Sequence, residues 1–300
     1  MRKCIVFMLL IVLTACSKAD RQLTIGIIKP SVNHLPLSYG LHSGEIDGSH
    51  IRLVSFTSGW EASEALVAGK LDAAILPFTY VWSSAAKGYP IRTVSFLERE
   101  TDAILVSPGL AQPLALSGKK VGLLKASSLD VLWQDYAKKE GIGAEKVYFR
   151  SPNEIVAALQ NGDISAAVLY EPIVSKLAEK YPVLARFSQR YNAHPCCNLA
   201  VNTRMLDRGK ISQLRDCLSS LSTVAGTINI QNPSLCSYAL REYGMSFNQL
   251  KLALGNTIYR LDLEQSGKNF ERKMAQLSLQ SGYLTHLPAD DSIYWDIHAR

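Results

Sequence analysis

Charged residues make up only 19% of this 300-residue chain, and after the first fifteen residues no apolar run reaches the ~18 needed to span a bilayer. Set against 47% hydrophobic residues, so low a charge content excludes bulk disorder and leaves a globular protein of about two domains at roughly 150 residues each. No heptad is sustained and glycine does not recur at every third position, so the chain is neither a fibre nor a multi-span membrane protein. It also lacks a Ser-His-Asp ordering, a nucleotide-binding glycine pattern and a paired metal-carboxylate motif, which leaves nucleophilic and phosphoryl-transfer chemistry without residues to rest on. A basic stripe is missing too. The net charge of +6 falls to +4 without Arg2 and Lys3, and the other Lys and Arg residues are scattered among Asp and Glu, so nucleic acid is not an expected partner.

What is present begins with a leader. Met1-Arg2-Lys3 is a short basic start, Cys4 to Leu13 is an apolar segment too short to span comfortably, and Leu13-Thr14-Ala15-Cys16 follows at once. This reads as a signal peptide over residues 1–15. The small residues before Cys16 resemble the lipobox of bacterial lipoproteins, which implies Cys16 as the first mature residue, carrying lipid on its thiol and amine. Residues 16–21 then form a polar tether, and the expected location is extracytoplasmic, on the bacterial membrane through that anchor, where disulfides persist.

From Leu23 onward, β-rich runs alternate with helical ones. Leu23 to Ile28, Ile51 to Phe56, Ala73 to Phe78, Ile91 to Leu97 and Ala103 to Ser107 read as strands, and Trp60 to Lys70 carries Ala62, Ala65, Leu66 and Gly69 on one helical face. After the Pro108, Gly109 and Pro113 punctuation a second set begins, with strands at Lys120 to Leu124, Lys146 to Arg150, Ala166 to Tyr170 and Val183 to Phe187. Helices at Leu129 to Glu140, Pro152 to Gln160 and Ile173 to Glu179 lie between them. Ser151-Pro152 opens a helix and Asn161-Gly162 closes it. Asn198 to Asn202 is one more strand, followed by mostly helical sequence to about Tyr283. The predicted organisation is α/β: a discontinuous lobe of residues 22–108 plus 200–300 and a continuous lobe of residues 109–199, with a ligand cleft between them and hinge closure over a ligand.

Gly59-Trp60-Glu61-Ala62-Ser63-Glu64-Ala65-Leu66-Val67-Ala68-Gly69-Lys70-Leu71-Asp72-Ala73-Ala74 resembles a segment of the nitrate/sulfonate/taurine-type and thiamine-precursor-type solute-binding proteins of ABC importers. Further matches follow in the family's order: Leu23 to Ile28, Lys87-Gly88-Tyr89-Pro90-Ile91, Leu116 to Gly122, Lys125-Ala126-Ser127-Ser128, and Ala166 to Pro172. Together they cover about residues 23 to 202. The resemblance implies a two-lobe type II periplasmic-binding-protein fold that captures a small molecule and delivers it to an ABC permease with its ATPase. A monomer without cofactor or metal is expected.

Candidate binding residues come from both lobes. Ser127 and Ser128 follow a strand and precede a helix, so a hydroxyl can cap the helix while N–H groups and the positive dipole end face the cleft and hold an anion or polar headgroup. Ala126 stands where the resembled family has Gly. Tyr170 and Glu171 end a strand whose carboxyl end faces the crevice. There the Tyr ring could stack on a ligand and Glu171 could accept hydrogen bonds from an amine or a pyrimidine-like ring, or instead cap the following helix. In the loop after the first strand, Lys29 and His34 are expected on the opposite wall, the imidazole being able to donate, accept or ligate. Tyr80 and Trp60 could add aromatic contacts, core packing being the other reading of Trp60. Asp72 belongs to a helix-to-strand turn.

Four cysteines remain beyond Cys4 and Cys16. Cys217 and Cys236 fall on consecutive predicted helices and are the favoured pair for a bridge, worth about 3 kcal/mol in the chain-entropy model. His194-Pro195-Cys196-Cys197 lies where the chain recrosses at the mouth of the cleft, which makes His194 a ligand candidate. Soft thiolates beside an imidazole suit copper or zinc. Adjacent cysteines on a strand point in opposite directions, however, and on that ground no metal is assigned. The functional expectation is a non-catalytic capture protein; the alternatives are a lipid-anchored ligand sensor or an exported enzyme acting on a small heterocycle.

Overall fold

The structure, a computed structural model, describes residues 22–299. The signal peptide, Cys16 and the tether therefore lie outside the described residues. Among the described residues no helix is long and apolar enough to cross a membrane.

Two five-stranded sheets form the frame. The first contains β1 (Leu23–Ile28), β2 (Ile51–Phe56), β3 (Ala73–Pro77), β4 (Ile91–Phe96) and β11 (Cys197–Asn202), in the order β2-β1-β3-β11-β4. The second contains β6 (Asp102–Val106), β7 (Lys120–Leu124), β8 (Glu145–Phe149), β9 (Ala166–Tyr170) and β10 (Val183–Arg186), in the order β10-β6-β9-β7-β8. Read from its parallel edge, the second sheet repeats the first. In each, three strands run parallel, and the antiparallel strand beside them is the one that arrives from the other sheet, β11 in the first and β6 in the second. A two-stranded ribbon of β5 (Glu98–Arg99) and β12 (Ile258–Tyr259) lies beside the crossing.

This pairing corrects the lobe boundaries. Residues 102–106 were expected in the first lobe, yet β6 pairs with β9 and β10 of the second; the Cys197 start of β11 was expected in the second lobe, yet it pairs with β3. The crossings therefore fall at about residues 97–101 and 187–196. The punctuation at Pro108 and Gly109 marks only the turn that follows β6.

Helices cover both sheets: α1 (Leu35–Ser43), α2 (Gly59–Val67) and α3 (Phe78–Ala86) in the first lobe, and α4 (Ser128–Glu140), α5 (Pro152–Asn161) and α6 (Ile173–Leu177) in the second. Their ends follow local chemistry. Ser58, Ser127 and Ser151 each accept a hydrogen bond from the amide three residues on, and Gly141 and Gly162 end α4 and α5 in the left-handed conformation. α2 ends three residues earlier than the periodicity predicts, because Gly69 turns the chain at φ 70°.

The C-terminal part comprises α7 (Arg208–Thr227), α8 (Pro233–Tyr243), α9 (Phe247–Gly255), α10 (Gln265–Gln280) and α11 (Asp290–Ile293). It was expected to return to the first lobe alone, and α7 does pack there on α1. α9 instead packs on α6 of the second lobe, and α10 lies against α3 of one lobe and α4 of the other. One apolar cluster accordingly joins Phe78, Trp82 and Phe96 of the first lobe to Leu105, Val121 and Trp133 of the second, with Met274 and Ala275 of α10 among them. The tail is a strap across both halves.

Candidate functional site

The carboxyl ends of the parallel strands of both sheets converge, the position at which open α/β sheets bind ligands. The first lobe supplies Ser31 and Asn33 after β1 and Pro77 and Tyr80 after β3; the second supplies Ser127 and Ser128 after β7 and Tyr170 at the end of β9. Cys196 and Cys197, on the crossing, complete the wall. The space they enclose is about 30 Å³, room for about two water-sized groups. Gly59 permits the close wall on one side, since a Cβ there would sit 2.8 Å from the Pro77 ring and 3.1 Å from Tyr80. An outer groove of about 930 Å³ shares Tyr80 and Leu124 with this cavity and runs out between α2, α3, Lys125, Arg150 and Tyr283. A hollow of similar size, lined by β4, α7 and residues 261–298, shares no residue with either and has no such convergence of elements.

Contacts cross between the lobes around the cavity. Tyr80 OH donates to Lys125 O at 3.4 Å, Val32 N–H donates to Glu171 O at 3.3 Å, and Ser128 Oγ lies 3.2 Å from Cys196 Sγ. Ser127 spends its hydroxyl on the helix: Oγ accepts from Asp130 N and donates to Leu124 O at 2.6 Å. Ala126 adopts φ 57°, the left-handed conformation that favours the glycine of the resembled family, and its N–H donates to Asp130 Oδ2 at 2.9 Å. Burial pushes the Tyr80 and Tyr170 hydroxyls up, so both phenols stay protonated.

Of the residues proposed from sequence, Tyr80, Ser127, Ser128 and Tyr170 therefore line the cavity, and five others stand elsewhere. Lys29 is half exposed and ion-paired with Glu242 of α8. His34 is buried, but the tight turn after β1 folds its ring back so that Nε2 accepts from Ile28 N–H at 2.9 Å. Burial drives its pKa down to about 3, so it is a neutral buckle and not a cleft ligand. Trp60 is 59% exposed and lines the outer groove instead of the cavity, because the buried stripe of α2 is Gly59, Ala62, Ser63 and Leu66; the core packing that was its other reading is absent. Glu171 faces away from the cavity: Oε2 accepts from Ser175 N–H at 2.9 Å and Oε1 from Arg186 at 3.1 Å, which is the helix-capping alternative. His194 is buried behind the cavity wall, its Nδ1 2.8 Å from Tyr191 O and its Nε2 3.4 Å from Asp102 Oδ2. Asp72 has the expected turn role, accepting from Thr24 N–H and Lys210 Nζ, both at 2.8 Å.

The cysteines depart most from expectation. Cys217 and Cys236 are free, buried thiols, the Cys236 Sγ being turned onto Ile230 O at 3.2 Å. Cys196 and Cys197 have their sulfurs only 4.0 Å apart, on one side of the chain. The strand argument fails because β11 begins at Cys197, so Cys196 is outside the alternating pleat. Glu98 and Asp102, unnoticed in the sequence because they sit at the crossing and not in a motif, stand beside them: Cys197 N–H donates to Glu98 Oε2 at 3.1 Å, and Cys196 Sγ is 3.6 Å from Asp102 Oδ1. Burial, then the neighbouring Asp102, lifts Glu98 to about 8.

Two lobes, each with the same strand order, and a cavity at their strand ends define the type II periplasmic-binding-protein fold. Residues 17–215 match the NMT1-like family, and the chain belongs to that family. It is similar to a binding protein of Brucella abortus, 27% identical over 145 residues, 47% of this chain; the match spans only 44% of the length of that relative. The alkanesulfonate-binding protein of Xanthomonas axonopodis pv. citri bound to MOPS superimposes with a TM-score of 0.80 at 18% identity, over 91% of this chain and 98% of the other. The ligand-binding component of an ABC-type import system from Staphylococcus aureus, with zinc bound, gives 0.78 at 20% identity, covering 92% and 96%. The nitrate-binding protein of Synechocystis PCC 6803 gives 0.72 at 13% identity, covering 91% and 84%.

Proposed function

We propose that this protein captures a small solute between its lobes outside the cytoplasm and presents it, chemically unchanged, to an ABC import permease and its ATPase, with Cys16 as the lipid anchor. The observation that carries this reading is the interlobe cavity: its polar groups come from both lobes, so a guest held there links the halves and favours the joined form. The similar structures are an alkanesulfonate-binding protein and the ligand-binding component of an ABC-type import system, which supports capture over catalysis. Those relatives bind an alkanesulfonate buffer, nitrate and zinc, so the fold by itself does not select a chemistry. A monomer suffices, because one chain supplies both walls.

Small-angle scattering and thermal-shift screening test this together. A true guest is expected to raise Tm and to lower the radius of gyration, stabilising by RT ln(1 + [L]/Kd). Ser128→Ala is expected to weaken that guest, and Glu171→Ala to leave its affinity unchanged. Binding with no compaction, or conversion of the guest to a product, would overturn the reading. Uptake in vesicles that requires the permease would separate transport from sensing.

A further inference from the structure

We propose that the cleft's guest is a thiophilic divalent cation of the zinc type, bound by Cys196 Sγ, Cys197 Sγ and Glu98. The proposal rests on the capture reading and names its ligand class.

Three observations carry it. First, the donor set is assembled: both sulfurs and a carboxylate oxygen of Glu98 lie within 4.8 Å of one another, all three residues being buried, and two thiolates with one carboxylate form a donor set that zinc takes. Second, the surroundings are rich in acceptors without donors. Glu98 Oε1, Asp102 Oδ2 and His194 Nε2 are buried and have no hydrogen-bond partner. Tyr191 O can only accept, so His194 Nδ1 donates to it, and His194 Nε2 lies 3.4 Å from Asp102 Oδ2. Buried carboxyl oxygens without a donor are matched by a proton or by a cation. Third, among the described residues no Lys, Arg or His side chain lines the cavity, and Arg99, the neighbouring cation, is held by Glu264 at 2.8 Å and by Ala193 O at 2.9 Å.

An anion has little to meet here beyond the first turn of α4, and Ser127 already uses its hydroxyl on that turn. An ion with one or two waters matches about 30 Å³, whereas a heterocycle does not. The charge balance selects a divalent over a monovalent ion, since two thiolates and Glu98 together bring three negative charges. On coordination both thiols and the Glu98 carboxyl lose their protons to solvent while sulfur keeps its electron pair, so no oxidant or reductant takes part. Asn33 Nδ2 lies 3.2 Å from Cys197 Sγ, and Ser128 Oγ lies 3.2 Å from Cys196 Sγ. Asn33 belongs to the first lobe and Ser128 to the second, so charge developing on the sulfurs is met by a donor from each lobe, which couples loading to closure. Asp102 and His194 are positioning residues behind Cys196.

The test is titration of the reduced protein with Co(II), then Zn(II), under anaerobic conditions. One Co(II) per chain with a thiolate-to-cobalt charge-transfer band, displaced by Zn(II), is expected. Cys196→Ser and Cys197→Ser should each weaken binding by about 100-fold or more and remove that band's intensity in proportion, while His194→Gln should weaken it by about 10-fold and keep the band. The Cys217→Ser/Cys236→Ser double variant should bind as wild type, and circular dichroism of every variant should show the native fold. No Co(II) or Zn(II) binding by protein with four titratable thiols, or binding indifferent to Cys196 and Cys197, would overturn the proposal. So would a Cys196–Cys197 disulfide that survives reduction. Scattering distinguishes the two levels of the reading: compaction by some other solute with no metal bound leaves capture standing and removes the cation, whereas metal bound without compaction removes capture and keeps the site.

Discussion

Two buried acidic clusters meet along β11 and behave oppositely. At Asn198 the strand faces Glu271 of α10, whose carboxylate accepts from Asn198 Nδ2 at 2.8 Å, Tyr294 OH at 2.8 Å and Trp82 Nε1 at 3.1 Å. One residue earlier, Cys197 faces Glu98, Asp102 and Cys196, where Glu98 Oε1 and Asp102 Oδ2 have no donor. Both clusters are fully buried. The first satisfies every carboxylate oxygen from within the protein and so ties the strap helix to β11, α3 and the C-terminal Tyr294; it is architecture. The second leaves carboxyl oxygens without a donor beside two thiols, a donor set that a positive guest can complete.

The contrast is broken most forcefully at Glu271. Truncation in Glu271→Ala strands three buried donors, and an unfolding free energy lower by about 3 kcal/mol or more is expected in urea denaturation, with no change in metal affinity. Glu98→Gln should do the converse, leaving unfolding nearly unmoved and weakening the cation.

Titration sharpens the same comparison. Burial raises Glu271 to about 7 against hydrogen bonds that lower it, so between the unfolded carboxylate range and about 7 the folded protein holds a proton that the unfolded chain has lost. Its contribution is thus fully present below about pH 4.5 and is lost as pH rises through 7, a loss on the order of 3 kcal/mol. Glu98, at about 8, adds a loss in the same direction and slightly higher. Unfolding free energies of metal-free protein from pH 5 to pH 8.5 should therefore fall, and Glu271→Gln should remove its share of the slope; a slope unchanged in that variant would contradict the assignment.

A third carboxylate, Glu171, sits nearer the cavity than Glu271 and yet belongs with the architecture, since Ser175 N–H and Arg186 satisfy it. Glu171→Ala should lower stability by about 2 kcal/mol through the lost cap and the stranded guanidinium, measurable as a lower Tm.

These outcomes bear on what the residues disclosed before their arrangement was known. The strand runs from Leu23 to Tyr170, the Ser127 cap and the Ser151-Pro152 start were legible because each depends on neighbours in sequence. Tyr80, Ser128 and Tyr170 were legible as wall residues because strand carboxyl ends can be placed from the α/β alternation alone. Lys29 and Glu171 were misplaced because a side chain's direction is decided by partners far away: Glu242 is over two hundred residues from Lys29, and Arg186 holds Glu171 from another strand. Glu98 and Asp102 carried no local signal, and the vicinal cysteines were dismissed by a pleat rule that stops one residue short of Cys196. A charged pair flanking a lobe crossing, read together with adjacent cysteines at the return crossing, was the one signal that could have joined them.

The smallest expected effect lies at Ala126, beside the cap of α4. A φ of 57° places its Cβ close to the following carbonyl oxygen, an arrangement that costs an L-residue about 1–2 kcal/mol, while glycine adopts it freely. Glycine also adds unfolded-chain entropy of about 0.5–1 kcal/mol that works against the gain. Ala126→Gly should thus raise stability by up to about 1 kcal/mol, since relief of strain outweighs the entropy, and chemical denaturation with an unchanged m-value would register it. Because Ala126 N–H is already held by Asp130, the substitution should leave cation affinity as it was. A glycine variant that instead gained affinity would mean that the backbone at the start of α4 approaches the guest, moving the site from the thiol floor toward the helix terminus.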